Sequence, residues 1–334
     1  MLEKPDFQDE KIVACVQDEY GLRIAQIAFL PLGADLNTAV YRAWTGDGTS
    51  YFVKLRRGAF DDISVALPKF LGDYGVGHLI PPLATRTGQL WSDLDAYKLI
   101  VYPYVEGRNG YETALNDRHW RDLGAALKGL HTASLPVDLR RRIQQETYTP
   151  HWRDNLKAFM GRIGDDAYPD AIARELASFL QARRDVVLDL VGRAERLARS
   201  LQACSPEFVV CHADLHAGNL LIDTSGALYI VDWDTAVLAC KERDLMFAGG
   251  GLGGGWRTAQ EEEVPFYQGY GPVQVDRAAL AYYRYERIVQ DVAIYCEQLL
   301  LSGAGGADRE QSLRYCKSIF LPGGTIELAY RSET

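Results

Sequence analysis

The first hundred residues combine two stretches of helical spacing with several short, strand-like apolar runs. Apolar side chains recur at helical spacing over residues 9–20 and 61–74. The dipeptide Asp47-Gly48 separates two alternating apolar runs, which is a strong hairpin signal. The pattern predicts a small mixed lobe on an antiparallel sheet, with strands at 24–32, 38–45, 50–56, 79–85 and 97–105.

The chain beyond Val105 has a mainly helical pattern. Its apolar side chains form amphipathic stripes, and the stretch at 171–202 lacks the sustained heptads of a coiled coil. We therefore expect an α+β chain with an N-terminal lobe at 1–103 and a larger, mostly helical C-terminal lobe at 104–334. The predicted helices are 117–132, 171–202, 276–301 and 309–320, and short strands are predicted around 207–211, 219–222 and 228–232.

Composition narrows the class of protein. The net charge of −9 over 334 residues argues against a general nucleic-acid binder and suits a cationic small molecule, although surplus acid also serves solubility. The six cysteines are scattered along the sequence, which indicates reduced thiols and not a disulfide framework or a zinc site. Residues 1–10 lack the features of a signal peptide, and the longest apolar run, 99–105, is too short to span a bilayer. We expect a cytoplasmic protein, monomeric and without membrane or nucleic-acid partners.

The most informative motif is H-A-D-L-H-A-G-N at residues 212–219, followed by Asp232 at the end of the apolar run 228–231. This set suits phosphoryl transfer, in which one carboxylate accepts the proton of the attacking hydroxyl. An Asn and a second Asp then hold the magnesium ion that neutralises the phosphates. The spacing assigns the base to Asp214 and the magnesium ligands to Asn219 and Asp232.

Lys54, at the end of the third predicted strand, is the candidate phosphate-binding lysine. A surface lysine is the simpler interpretation in isolation, but the downstream motif favours the functional one. A carboxylate on the next helix would orient this lysine. Asp61 and Asp62 are available, and we prefer Asp62.

The loop at 31–38 lies where a kinase covers the nucleotide phosphates, yet it contains one glycine, Gly33. No Walker motif occurs in the sequence. If phosphates bind here, backbone N–H groups and the side chains of Asn37 and Thr38 must hold them.

Three further features have competing interpretations. Gly249, Gly251 and Gly254 formally satisfy G-x-G-x-x-G, but the charged, helix-like segment before them indicates a flexible loop near the site instead of a dinucleotide-binding turn. The histidines of 212–219 offer too few ligands for a hydrolase metal site. His212 is expected to pack within the loop, and His216 either packs there or lies near the substrate. We expect Arg243 and Asp244 to form a structural ion pair.

With Lys54, residues 212–219 and Asp232 together, the chain resembles the aminoglycoside phosphotransferase family, whose fold is that of protein kinases. The family pattern H-x-D-x-x-x-x-N followed by I-D-[WF]-[DE] is met here as H-A-D-L-H-A-G-N and V-D-W-D. The likeness to the spectinomycin phosphotransferases within that family runs over nearly the whole chain. It is carried by 241–251, 282–293, Gly33-Ala34-Asp35 and the segment 102–105.

The resemblance implies a bilobal, protein-kinase-like fold and transfer of the γ-phosphate of ATP to a hydroxyl of spectinomycin, an aminocyclitol antibiotic, which gives resistance. It implies ATP and Mg²⁺ as cofactors, with Asp214 as base, Asn219 and Asp232 as magnesium ligands and Lys54 as phosphate clamp. The adenine-binding hinge would comprise Tyr102, Tyr104 and Val105. The chain departs from kinases in offering an Asp where the partner of the lysine is usually a Glu.

A protonated aminocyclitol needs carboxylates for its amines. The candidates for contact with the acceptor are Asp234, Glu286, Asp291 and His216. Glu286 and Asp291 are about 140° apart around a helix and should point in different directions. Glu286 could instead pair with Arg284 or Arg287 on the surface.

Three other functions compete with this interpretation. A sister small-molecule kinase acting on choline, homoserine, methylthioribose or another aminoglycoside would share the motif. A non-catalytic nucleotide-binding module would not turn ATP over, and a metal hydrolase would act without ATP.

Overall fold

The computed structural model describes residues 3–33, 37–164, 168, 170–204, 206–253, 255–302 and 306–333, with the side chain of residue 307 also left aside. The helices are α1 Asp9–Tyr20, α2 Ile63–Asp73, α3 Asp117–His131, α4 Val137–Arg142, α5 His151–Arg162, α6 Ala171–Gln181, α7 Arg184–Cys204, α8 Glu242–Leu245, α9 Ala259–Tyr270, α10 Arg277–Leu300, α11 Gly306–Ser318 and α12 Thr325–Glu333. The strands are β1 Ile24–Leu30, β2 Thr38–Thr45, β3 Ser50–Arg57, β4 Ser92–Leu94, β5 Tyr97–Pro103, β6 Gly107–Asn109, β7 Val209–Cys211, β8 Leu220–Asp223, β9 Leu228–Ile230 and β10 Val237–Ala239.

The N-terminal sheet has the strand order β1-β2-β3-β5-β4, and its neighbouring strands are antiparallel. Alternate residues of each strand point to opposite faces. On one face Tyr41, Val53 and Val101 pack with Ile12 and Val16 of α1 in a buried cluster. The opposite face carries Lys54, which lies opposite Val40 of β2 and Ile100 of β5. This alternation directs the lysine away from the α1 core.

The C-terminal part is built around α10. This helix packs against α5, α7 and α12, and its buried face includes Tyr282, Tyr283 and Tyr285. Two small sheets lie beside the helices: β7 pairs with β10, and β8 pairs with β6 and β9. The segment between β7 and β8 contains residues 212–219, so these short strands hold both ends of the motif.

The helix α2 belongs to the larger hydrophobic cluster, although it precedes Pro103 in the chain. Ile63, Leu67 and Leu71 are buried in the same cluster as the α3 and α10 side chains. A backbone bridge between Leu79 and Ile230 adds a second link to this part. The two clusters therefore overlap in sequence, and the division at residue 103 stays a prediction.

Most predicted elements are confirmed to within a few residues, but two predictions are wrong. The stretch at 79–85 is not a strand, because Pro81 and Pro82 lack the N–H groups that a strand ladder needs. The edge position beside β5 is filled by β4 instead. The helical stretch at 171–202 is two helices, α6 and α7.

Helices α3 and α9 approach each other closely through two glycines. A Cβ added to Gly124 would overlap the backbone of Phe266, and one added to Gly269 would overlap the carbonyl of Arg121. We expect Gly269→Ala to lower the free energy of unfolding by about 1–3 kcal/mol, the usual cost of overpacking, as measured by urea denaturation.

Gly192 in α7 provides the matched control, since nothing lies within 4 Å of its Cβ position. Gly192→Ala should be neutral or stabilising by up to about 1 kcal/mol, because Ala favours a helix more than Gly does. Equal stability of the Gly269→Ala and wild-type proteins would contradict the close approach of α3 and α9.

Candidate active site

A buried carboxylate, Asp244 of α8, holds the loop that carries Asp214. The backbone N–H groups of His212 and Ala213 donate to Asp244 Oδ2 at 2.9 Å and to Oδ1 at 2.7 Å. His131, the last residue of α3, places Nε2 3.0 Å from the same Oδ2. Burial would raise the pKa of Asp244, but these partners and His131 hold it below its usual value. The predicted Arg243–Asp244 ion pair is therefore wrong.

The ring of His212 also packs within the loop, as expected. Its Nε2 lies 3.0 Å from the carbonyl of Val231, and the ring meets Trp233 edge to face. The loop contains Ala213 in the left-handed backbone region, at φ +70°. Non-glycine residues adopt this region at a cost that surrounding contacts must offset, and such residues cluster at active sites. The two N–H bonds to Asp244 provide such contacts.

Asp214 stands at the centre of the site and contacts three side chains. Its Oδ1 accepts from Arg287 Nη1 at 2.6 Å, and its Oδ2 lies 3.3 Å from Asn219 Nδ2 and 3.7 Å from His216 Nε2. Burial favours a higher pKa, but the charges of Arg287 and His216 keep the pKa of Asp214 below its usual value. The carboxylate is therefore ionised at neutral pH, as a proton acceptor must be.

Asn219 ends the motif and faces the same carboxylate. Its side-chain Nδ2 donates to the backbone carbonyl of Asp214 at 2.8 Å. Its backbone carbonyl accepts from the N–H of Val231 at 3.0 Å. The second bond places Asn219 directly beside the segment that leads to Asp232. The amide nitrogen faces Asp214, so the amide oxygen is the atom of this side chain that could bind a metal ion.

Lys54 links the N-terminal sheet to the segment after β9. Its Nζ lies 2.9 Å from Asp232 Oδ1 and 2.9 Å from Asp234 Oδ2. Burial alone would lower the pKa of Lys54, but the two carboxylates raise it well above its usual value. Burial alone would raise the pKa of Asp232, but the charge and hydrogen bond of Lys54 lower it below its usual value. Asp232 has φ +64°, a second left-handed residue at the site.

Asp62 is not the partner of Lys54. Asp62 Oδ1 pairs with Arg142 Nη2 of α4 at 2.6 Å. Asp61 accepts from the N–H of Ile63 at 3.0 Å, at the start of α2. The predicted Lys54–Asp62 pair is wrong because α2 packs on the C-terminal cluster, where its first turn meets α4.

The predicted phosphate-covering loop lies partly outside the described residues, since Ala34, Asp35 and Leu36 are not described. Gly33 has a positive φ of 85°. Thr38 Oγ1 accepts from Arg56 Nη1 at 3.4 Å, and the carbonyl of Asn37 accepts from the backbone of Arg57. These two residues thus lie beside the charged end of β3.

The predicted adenine-binding hinge begins at the end of β5 and contacts residues of β2 and β3. Tyr104 donates its N–H to the carbonyl of Ser50, and the guanidinium of Arg42 lies 3.9 Å from the centre of its ring. Tyr102 faces the same side of the sheet as Lys54, and burial raises its pKa. Val105 follows directly and is partly buried.

Asp291 and His216 also lie close to Asp214. Asp291 Oδ1 pairs with Arg287 Nε at 2.9 Å, so a single arginine bridges the two carboxylates. Burial raises the pKa of Asp291 and lowers that of His216. The His216 ring stacks on Tyr111, which is half exposed. Together these side chains place a carboxylate, an arginine and two stacked rings beside Asp214.

Two other predicted acceptor contacts have different surroundings. Glu286 is buried inside the helical cluster, with Oε2 3.4 Å from Arg153 Nε. Its alternative pairing with Arg284 or Arg287 is wrong. Its burial disfavours the predicted contact with the acceptor, which stays a prediction. Asp234 is held by Lys54 and by Arg56 Nη1 at 2.7 Å, which disfavours a role at the acceptor.

The glycine-rich loop lies beside the motif, as predicted. The carbonyl of Leu252 accepts from the N–H of Ala217 at 2.7 Å. A Cβ on Gly253 would approach the Tyr111 ring, and Gly254 is not described. This loop is therefore packed against residues 212–219 and has no role as a dinucleotide-binding turn.

The oxygen atoms of Asn219 and Asp232 are the donor type that magnesium prefers. Asn219 is buried, whereas the Asp232 side chain is 48% exposed. A candidate base, a lysine and two candidate oxygen ligands thus converge from β3, the 212–219 loop and the segment after β9. This combination in a two-part α+β fold defines a protein-kinase-like phosphotransferase.

The chain belongs to the phosphotransferase enzyme family, which matches residues 28–283. The resemblance inferred from residues 212–219 is thereby confirmed, and the chain is an ATP-dependent small-molecule kinase by class. Among the described residues, no helix is both long and apolar enough to cross a membrane.

Solved structures of spectinomycin phosphotransferase APH(9)-Ia are similar over nearly the whole chain. The complex with ADP and spectinomycin has a TM-score of 0.91 and 35% identity, covering 98% of this chain and 99% of that chain. The AMP-bound complex has a TM-score of 0.86 and 34% identity over 97% and 99% of the two chains. Protein StrN of Streptomyces griseus is 27% identical over 232 residues, which are 65% of this chain and 67% of that protein.

Proposed function

We propose that this protein transfers the γ-phosphate of ATP to a hydroxyl of spectinomycin and thereby inactivates the antibiotic. The observation that carries the proposal is the position of Asp214, whose carboxylate lies beside Asn219 and His216 and is linked through Arg287 to Asp291. Lys54 pairs with Asp232 in the same site. The similarity to the ADP and spectinomycin complex of APH(9)-Ia supports both the nucleotide and the acceptor.

In this proposal Asp214 accepts the proton of the acceptor hydroxyl as its oxygen attacks phosphorus. Lys54 binds the phosphates, and Asp232 and Asn219 hold Mg²⁺, which neutralises charge on the phosphate oxygens. Asp244 acts through the backbone of His212 and Ala213, since it holds the loop that presents the base.

The acceptor would lie against Asp291, His216 and Tyr111. The carboxylate of Asp291 adds negative charge near a protonated amine, and the stacked pair of His216 and Tyr111 offers a flat surface for a ring. The net charge of −9 favours the approach of a cation. A cytoplasmic, monomeric enzyme made of lobes 1–103 and 104–334 completes the proposal.

The test is a direct assay of the acceptor. Purified protein with ATP and Mg²⁺ should add one phosphate to spectinomycin, read by mass, and excess chelator should abolish the reaction. Kanamycin and choline, assayed in parallel, should be poor acceptors. Brisk transfer to either of them, with no phosphorylated spectinomycin, would leave the kinase class standing and remove this substrate.

A further inference from the structure

Arg287 directly contacts one carboxylate oxygen of Asp214. Its Nη1 lies 2.6 Å from Asp214 Oδ1, and its Nε lies 2.9 Å from Asp291 Oδ1. The guanidinium lies 6.0 Å from the centre of the Phe247 ring, and the side chain is 26% exposed. The arginine therefore bridges two carboxylates at the mouth of the site.

Both carboxylate oxygens of Asp214 already have polar neighbours, with which a water molecule would have to compete. Oδ1 is occupied by the charge-assisted bond to Arg287, a strong class of hydrogen bond. Oδ2 lies near Asn219 and His216. A proton donor that approaches Oδ1 must therefore compete with the guanidinium.

We propose that Arg287 is a specificity-determining residue that blocks Asp214 until a cationic acceptor displaces it, so that phosphate passes to the acceptor and not to water. Asp291 provides the destination, because it already binds Arg287 through Nε one helical turn along α10. The guanidinium can then move from Asp214 to Asp291 without losing a counter-ion.

Charge balance explains why the acceptor must be a cation. Withdrawal of Arg287 leaves a partly buried carboxylate without its partner, which is costly unless another positive charge arrives. An ammonium group beside the reacting hydroxyl replaces that charge as the hydroxyl reaches Asp214. Water and neutral alcohols offer no such replacement, so the block stays in place for them.

The reaction that is suppressed is ATP hydrolysis. In it the oxygen of water bonds to the γ-phosphorus, the bond to the bridging oxygen breaks, and a proton of the water passes to Asp214. The products are ADP and inorganic phosphate. Removing the guanidinium frees Oδ1 for this step.

The decisive variant is Arg287→Met, which retains much of the length of the side chain and removes its charge. Without acceptor, its ATP hydrolysis should rise about tenfold over wild type, less than the roughly 10²–10⁴-fold that a general base contributes in full. Arg277→Met, at the exposed first residue of the same helix, changes the charge equally and should hydrolyse ATP at the wild-type rate.

Two further variants keep the proposal testable should Arg287→Met not fold. Arg287→Lys keeps a charge but cannot bridge both carboxylates with a planar fork, so a smaller rise, about threefold, is expected. Asp291→Asn removes the destination of the guanidinium. It should raise the KM for spectinomycin about tenfold without raising hydrolysis, a loss of acceptor binding more than of turnover.

The proposal is overturned if folded, ATP-binding Arg287→Met and Arg287→Lys proteins hydrolyse ATP no faster than wild type. A fall in both hydrolysis and transfer would also overturn it, because it would mean that Arg287 binds the phosphates of ATP. The role of the cation rests on the proposed function, but the hydrolysis assay needs ATP alone. Failure of wild type to phosphorylate spectinomycin is thus distinguishable from failure of the Arg287 variants to hydrolyse ATP faster.

Discussion

Asp214→Asn should lower kcat by about 10²–10⁴-fold, the usual contribution of a general base. The amide has the shape of the carboxylate but cannot take the proton of the acceptor hydroxyl. The affinity for ATP should remain near that of wild type, because Lys54 and Asp232 form their own pair. Steady-state turnover with spectinomycin and calorimetric titration with ATP separate these two effects.

Asp18→Asn is the control for this substitution, since Asp18 is an exposed residue of α1 that is remote from residues 212–219. It should leave both turnover and ATP affinity unchanged. Turnover of Asp214→Asn close to that of wild type would remove Asp214 as the base, whatever the nucleotide affinity.

The sequence predicts the local elements well because hydrophobic spacing is itself local. The helix at 9–20 and the hairpin at Asp47-Gly48 follow from apolar periodicity and a turn signal within a few residues. The false strand at 79–85 arose from apolar residues beside Pro81 and Pro82. The position of α2 on the C-terminal cluster depends on contacts with distant residues, which periodicity does not report.

The motif residues could be predicted because phosphoryl transfer requires a particular order of residue types along the chain. The partners of those residues could not, since they lie far away in sequence. Lys54 meets carboxylates 178 and 180 positions later, and Asp214 meets Arg287 73 positions later. Asp62 was a reasonable partner for Lys54 by proximity in sequence, but the fold turns it to Arg142.

Asp244 shows the same limit most clearly. It follows Arg243 directly, so a local ion pair was the simplest expectation, and no spacing rule connects it to residues 212–219. Its three partners come from α3 and from the start of the motif. A buried carboxylate that accepts backbone N–H groups is recognisable only when the fold is known.

The buried position of Asp244 predicts a large effect on stability and activity together. In either orientation of the new amide, Asp244→Asn turns an NH₂ group toward a backbone N–H donor, that of His212 or that of Ala213. Leaving a buried donor without its acceptor costs about 1–3 kcal/mol, and more when a charge is lost. We expect the free energy of unfolding to fall by about 3 kcal/mol, a large part of the roughly 5–15 kcal/mol typical of a domain.

The activity of the Asp244→Asn protein that remains folded should fall about 100-fold, because a displacement of about 1 Å in the loop misplaces the base. Urea denaturation and turnover measured below the unfolding transition separate the two effects, with Asp18→Asn again as the exposed control. Loss of stability with full turnover would mean that Asp244 supports the fold without positioning Asp214. Loss of turnover at full stability would locate its role in the loop alone. Only a fall in both stability and turnover supports a single carboxylate that joins α3, α8 and the 212–219 loop. In that case the hydrogen bonds of Asp244 that stabilise the helices also position Asp214.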